Sequence, residues 1–409
     1  MNIYDKLLFS FTLDKQTRLL SLIDKYQMSR SDALEIFKAE ADLELFSLPD
    51  IFSFLDFSLI DTKQAKRRKE ELFRQLRKEM DIIKYSKTDY SSFFPPKIIR
   101  KKTTSTIITD DNITLLGKCP CPIDGEVTRC CKLTTLDAVS QCSFGCSYCS
   151  VQSFYSENKI SIVSNLGERL KKLDLTGIWH IGTGQASDSL LLGNSFNTLT
   201  ALNEFAKEHP EIIIELKTKS NRVDFLDQKF ERNIVFTWSL NAPTICKKEE
   251  HLTASLENRI KAAKKIVEHG NLVGFHIHPM MYFTDYKEEY SYVVKLIEDN
   301  FSPQDIMMIS MGTLTFTKSV LEHLRTNRTP SRVLSMPLVP AAGKFSYPNE
   351  IKEEMFSHVY SSFSSNFKDN IFFYLCMEDP SLWPKVLKRE YSCDKDFELD
   401  MKKAYFSKV

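Results

Sequence analysis

The chain has 409 residues, is 42% hydrophobic and 27% charged, and carries a net charge of +1. This fits a soluble globular protein with a sizeable core. It excludes a global electrostatic signature of nucleic-acid binding, although a local basic groove stays open because net charge averages over faces. The opening "MNIYDKLLFSFTLDKQ" has no long apolar core and does not read as a signal peptide. No stretch reaches the ~18 apolar residues of a membrane span. The expected location is cytoplasmic, where ten cysteines are expected to be free, catalytic or metal-binding.

Residues 1–95 read as helical. "DKQTRLLSLIDKYQ" repeats apolar residues at helical spacing behind the capping residue Asp14, and "SRSDALEIFKAEADLELF" opens on two capping serines, Ser29 and Ser31. "DTKQAKRRKEELFRQLRKEMDIIKY" carries an apolar stripe through Leu72, Leu76, Met80 and Ile83, and its basic run Lys63 to Lys69 reads as a solvated face of mixed charge. The prolines of "SSFFPPKIIRKKTTS" end this pattern and set a boundary near 91–100.

From 96 to 409 short apolar runs alternate with helical segments. Strands are predicted at 135–140, 177–184, 211–219, 233–241, 271–281, 305–313 and 371–378, with helical patterns such as "FNTLTALNEFAKEH" and "LENRIKAAKKIVEHG" between them. Alternation with near-continuous apolar strands implies an α/β fold, a parallel sheet covered by helices. The expected architecture is a partial parallel (β/α)6-type barrel with an N-terminal all-helical extension, and sites in such barrels gather at the C-terminal ends of the strands.

Seven of the ten cysteines lie between Cys119 and Cys149. Three form "CSFGCSYC", with Cys142, Cys146 and Cys149 spaced C-x3-C-x2-C behind the first predicted strand. Gly145 lets this loop curl so that three sulfurs can converge. Thiolates are soft ligands for zinc or iron–sulfur clusters. A cubane cluster ordinarily takes four cysteines, so three leave one iron open to a small molecule. The alternative is a zinc knuckle that borrows Cys130 or Cys131. Cys119, Cys121, Cys130 and Cys131 raise a second metal centre as an alternative to plain buried thiols.

The C-x3-C-x2-C loop, with Tyr148 just before its third cysteine, resembles the radical S-adenosylmethionine (SAM) superfamily. More narrowly, "CSYCSVQSFY", "GTGQASDSL", "KTKSNRVDFL", "WSLNAPT", "ENRIKAAKKIVEHGNLVGFHIHP", "ISMGTLTF" and "LCMEDPSLW" resemble, in order, segments of spore photoproduct lyase and its photolyase-like relatives. The resemblance covers about 100–385. It implies a [4Fe–4S] cluster on Cys142, Cys146 and Cys149, SAM bound at the open iron, and reductive cleavage of SAM to a 5′-deoxyadenosyl radical. It implies that Tyr148 lies against the adenine and that Ser187, Lys219 and Ser239 bind the methionyl carboxylate or the ribose, with Asp188 and Asn241 in the same pocket. It also implies an electron donor of flavodoxin or ferredoxin type and a nucleic-acid substrate.

Two positions depart from that pattern. Gln185 stands where the lyase has its hydrogen-donating cysteine, and Ser150 where it has a relay tyrosine. A carboxamide N–H is too strong a bond to replace a thiol S–H. Spore-type dimer repair is therefore not carried over, and a peptide, RNA or metabolite substrate is the first alternative. A non-enzymatic metal-binding interaction module is the second. "GFHIHP" sets His276 and His278 on one strand face, and Glu378 ends the last predicted strand. With Gln185, these three are the catalytic candidates, and Cys246 and Cys376 are candidate hydrogen donors.

Overall fold

The computed structural model describes residues 2–95, 106–119, 128–151, 159–327 and 330–409. Two compact units emerge. One joins Met1–Lys97 to Tyr282–Thr284 and Phe316–Tyr347; the other joins Ile98–Met281 to Asp285–Thr315 and Pro348–Val409.

The first unit is helical. Its helices Ile3–Ser10, Leu13–Lys25 and Arg30–Leu45 start on the side-chain caps of Asn2, Thr12 and Ser29, whereas Ala65–Tyr85 follows Gln64 without one. Ser29 and Asp32 form a capping box at the head of Arg30–Leu45. Leu7, Ile36, Phe37, Leu72 and Leu76 make the core between them. Helix Lys318–Asn327 belongs here: the Arg325 guanidinium donates to both oxygens of buried Asp42, at 2.7 and 3.0 Å.

The second unit is an eight-stranded sheet. Its strands are β1 (Leu116–Lys118), β2 (Thr134–Leu136), β3 (His180–Thr183), β4 (Ile213–Thr218), β5 (Ile234–Leu240), β6 (Val273–Met280), β7 (Ile306–Thr313) and β8 (Phe372–Leu375). They lie side by side in chain order; β2 to β8 are parallel and β1 is antiparallel to β2. β5 and β7 are buried at every position, as a parallel sheet covered on both faces requires. The helices expected between strands are present. Leu256–Glu268 starts on the Ser255 cap and buries Leu256, Ile260, Ala263 and Ile266, each large aliphatic contributing about 1.5–3 kcal/mol. The sheet curls into a partial barrel. Helix Asp394–Phe406 reaches across the curl, its Tyr405 ring 5.4 Å from His180 of β3 and 6.1 Å from Phe372 of β8.

The first predicted strand is split. Only Thr134–Leu136 joins the main sheet; the Asp137 N–H still donates to the Leu115 carbonyl beside β1, and the chain then leaves the sheet. Val139–Ser140 pairs instead with Lys159–Ile162 in a separate small sheet. Upstream, the Arg129 N–H donates to the Glu378 carbonyl at 2.9 Å in an isolated antiparallel bridge. The stretch from Arg129 to β2 therefore starts beside the end of β8.

Candidate active site

A cavity of about 220 Å³ opens at the C-terminal ends of β3 to β6. Cys142, Cys146 and Cys149 line one wall, with Tyr148. Gln185 and Ser187, from the loop after β3, line a second. Lys217 and Lys219 at the end of β4, Ser239 of β5 and His278 of β6 complete it. Gly184 makes the turn after β3 possible: its φ is +84°, and a Cβ there would lie 2.8 Å from the Lys217 carbonyl oxygen.

The cysteine loop is tied down by its neighbours. Ser187 Oγ donates to the Gln141 carbonyl at 2.6 Å, and the Gln141 N–H donates to Ala186 at 2.8 Å. Gly145–Cys146 forms a two-residue antiparallel pairing with Glu250–His251, and the Ser147 N–H donates to the Glu249 carbonyl at 2.8 Å. Burial pushes the Cys142 and Cys146 thiols up, so both are neutral thiols here. Among the described residues, which exclude Cys121, no group of three or more His, Cys, Asp or Glu side chains stands close enough together to hold a metal ion as it is.

Glu250 is the electrostatic centre. Its side chain is fully buried and accepts from Arg259 at 2.5 Å, Lys219 at 3.1 Å, Asn241 at 3.3 Å and the Tyr148 hydroxyl. Burial alone would raise its pKa, but Arg259 and Lys219 outweigh that and hold the carboxyl well below the usual range. Arg259 is also fully buried and donates to the carbonyls of Ser239 and Ala254, both at 2.9 Å. Neither Glu250 nor Arg259 was singled out from sequence. The available signal was a charged residue, Arg259, among the apolar positions Leu256, Ile260 and Ala263 of one helix.

The anticipated pocket residues divide into three groups. Tyr148, Ser187, Lys219 and Ser239 line the cavity. Asp188 touches it, but its carboxylate already accepts from Lys219 N–H at 2.7 Å, Thr218 Oγ1 at 2.8 Å and Leu190 N–H at 3.1 Å. It joins the loop after β3 to the end of β4. Asn241 lies outside the lining: its amide donates to the Pro279 carbonyl at 2.9 Å, and its oxygen accepts from Tyr290 at 2.7 Å.

The catalytic candidates divide as well. Gln185 and His278 face the cavity. His276 lies deeper, between Ser310 Oγ and Glu215 Oε1 at 2.6 Å each, and His180 holds the other Glu215 oxygen at 3.1 Å. Glu378 is bound to Lys352 at 2.6 Å and to Thr313, so it fastens the end of β7 to helix Asn349–Ser362. Lys217, missed in sequence, points inward because Glu215, Lys217 and Lys219 alternate along one face of β4.

A parallel partial barrel with a three-thiol cavity at its strand ends defines the radical SAM class of fold. A family model described as spore photoproduct lyase matches residues 139–375, more than half of the chain. The chain therefore belongs to the spore photoproduct lyase family. The spore photoproduct lyase of Clostridium acetobutylicum is 24% identical over 230 residues, 52% of this chain and 64% of that protein. The chain thus spans less than two thirds of that relative's length. Among solved structures, spore photoproduct lyase complexed with dinucleoside spore photoproduct superposes with a TM-score of 0.55 at 18% identity, covering 66% of this chain and 82% of that one. A double mutant of the same enzyme with bound AdoMet and dinucleoside spore photoproduct gives 0.54 at 19% identity over the same shares.

Proposed function

We propose that this chain is a radical SAM enzyme that holds a [4Fe–4S] cluster on Cys142, Cys146 and Cys149 and acts on a nucleic-acid base. The observation that carries the reading is the convergence of three thiols, two lysines and two serine hydroxyls on one cavity. Soft thiolates suit iron–sulfur ligation, and a cation with hydroxyls suits the carboxylate of an amino-acid cofactor. When bound, cluster and SAM together supply a 5′-deoxyadenosyl radical, with one electron from a flavodoxin- or ferredoxin-type donor.

The chain's own residues bind, orient and exclude water. Lys219 stands 3.1 Å from Glu250 and 5.9 Å from the centre of the Tyr148 ring. It can turn from Glu250 to an incoming carboxylate while Arg259 keeps Glu250 neutralised. Ser187 fastens the cysteine loop through its hydroxyl, and Ser239 presents its own hydroxyl to the cavity. His278 hydrogen-bonds Ser310 at 3.0 Å. Burial and Lys217 push its pKa well down, so it meets a substrate as a neutral imidazole.

Gln185 at the cavity wall favours a second reading, in which the radical acts on a different substrate class, because no thiol stands there to return hydrogen. Anaerobic reconstitution with iron and sulfide, followed by dithionite and SAM, tests the enzyme reading through 5′-deoxyadenosine release. A loaded cluster without SAM cleavage refutes it. Deuterium transfer into 5′-deoxyadenosine from labelled, ultraviolet-irradiated DNA separates the two substrate readings.

A further inference from the structure

A hydrogen-bonded polar layer crosses the interior of the barrel beneath the cavity. β3, β4, β5, β6 and β7 each give it a buried side chain: His180, Glu215, Thr237, His276 and Ser310. The Glu215 carboxylate is its centre. Oε2 meets His180 Nε2 at 3.1 Å, and Oε1 meets His276 Nε2 at 2.6 Å and Thr237 Oγ1 at 2.9 Å. His276 Nδ1 meets Ser310 Oγ at 2.6 Å, and the same hydroxyl meets His278 Nε2 at 3.0 Å. The His278 ring centre lies 5.3 Å from that of His276, two residues back on the same face of β6. Unlike His276, His278 is only half-buried and lines the cavity. A Cβ on Gly312 of β7 would lie 3.1 Å from His278 Nε2 and 3.2 Å from its Cε1, so this edge of the ring is seated on β7.

Donors and acceptors along this chain can be assigned in one way. Burial alone would raise the Glu215 carboxyl, but His276 and His180 outweigh it and hold it well below the usual range, so Glu215 only accepts. Burial and Lys217 keep His276 and His278 neutral at pH 7, with one ring proton each. His276 therefore donates from Nε2 to Glu215, and its bare Nδ1 accepts from Ser310. The Ser310 hydroxyl has then used its one proton and accepts from His278 Nε2–H. His278 Nδ1 keeps its lone pair, and among the described residues nothing donates to it.

We propose that His278 is a substrate-binding residue locked as a hydrogen-bond acceptor at Nδ1, with Glu215, His276 and Ser310 as the positioning residues that set its tautomer. This deepens the active-site reading of the cavity and rests on it. The substrate group that His278 takes is an uncharged N–H or O–H, such as an amide nitrogen or a hydroxyl. A carbonyl oxygen at the same point would set lone pair against lone pair and leave two acceptors unpaired, which a buried site disfavours. Lys217, on the same cavity wall, is the complementary donor for an oxygen.

The test needs neither iron nor SAM. In the iron-free chain at pH 7 with nitrogen-15-labelled histidine, long-range proton–nitrogen NMR correlations give the tautomer of each imidazole. The His278 signals are identified by their loss in His278→Gln. His278 is expected in the Nε2–H form with Nδ1 in the lone-pair range; a proton on Nδ1, or an even mixture of the two forms, overturns the proposal. Ser310→Ala should release the lock, so that His278 becomes a mixture while His276 stays Nε2–H against Glu215. An unchanged His278 in that variant overturns the positioning role, and if the variant does not fold, the tautomer in the native chain decides. Binding is read with two probes small enough for a cavity of about 220 Å³, 2-pyrrolidinone and N-methyl-2-pyrrolidinone. The first should move the His278 Nδ1 resonance towards the protonated range, and the second, which lacks the N–H, should not. Equal shifts from both, or none from either, overturn the binding role. SAM cleavage enters none of these readouts, so this proposal and the enzyme reading fail separately.

Discussion

Replacing Glu250 by glutamine removes one charge and almost no volume. Arg259 then stays fully buried without its counter-ion, and Lys219, whose side chain is 16% exposed, keeps partial access to water. Breaking a buried ion pair from one side costs about 3–5 kcal/mol. The Arg259 half sits at the upper end of that range, because its guanidinium also spans Ser239 and Ala254 and cannot turn to solvent. In a chain of 409 residues, at about 1–2 °C per kcal/mol, Glu250→Gln should lower the melting temperature by roughly 3–10 °C. Tyr148→Phe removes only one neutral donor from the same carboxylate and should cost about 1 kcal/mol. Thermal and urea unfolding followed by circular dichroism measure both. Equal losses in the two variants, or no loss in Glu250→Gln, would refute the assignment of Glu250 as the charge centre. The pH dependence has a definite sign. Glu250 is held below its unfolded value, so its contribution is complete above the ordinary carboxylate range near 4.3. It is lost as pH falls through the depressed folded value.

Three further outcomes follow from the same geometry. Lys219→Met should weaken binding of S-adenosylhomocysteine roughly 10- to 100-fold, the worth of one charged hydrogen bond, with iron loading unchanged; equilibrium dialysis with iron quantitation checks both. His276 is pushed down to about 4 by burial and Lys217. It should stay neutral until well below pH 6 and contribute stability that is lost as pH falls from about 6.5, its unfolded value, towards 4; the imidazole signals in a pH-dependent NMR titration report this, and protonation near 6.5 contradicts it. In the helical unit, Asp42→Asn should cost about 3–5 kcal/mol by stranding Arg325, read by denaturant unfolding, whereas a loss within experimental error would show that Arg325 finds water instead.

Most of the sheet was legible because its strands are local apolar runs. Residues 211–219, 233–241 and 305–313 were expected as strands and are observed as Ile213–Thr218, Ile234–Leu240 and Ile306–Thr313. The ends were less legible. Hydrogen bonding across the sheet stops β2 at Leu136, while the apolar pattern continues to Ser140. In the cavity, the cysteines and Lys219 were visible because each sits in a recognisable local phrase. Glu250 was not, since its importance comes from pairing with a loop about a hundred positions earlier and from an arginine on the following helix. Asn241 and Glu378 show the reverse case. A polar residue at a strand end looks like a site residue, but these two are engaged within the fold, Asn241 by Pro279, Tyr290 and Glu250, and Glu378 by Lys352 and Thr313. Helix Lys318–Asn327 has an ordinary amphipathic pattern, and nothing local in it signals that Arg325 meets Asp42.

The fastenings of the cysteine loop are made by groups that ligate nothing. Ser187 and Ala186 hold its entry at Gln141, and Glu249 and Glu250 hold its middle. Its course is thus set by contacts within the polypeptide itself. On the proposed reading that the three thiols hold a cluster, a chain stripped of iron by oxygen would keep a template on which that cluster is rebuilt, and recovery from oxidative damage becomes a matter of resupplying iron and sulfide rather than of making the protein anew.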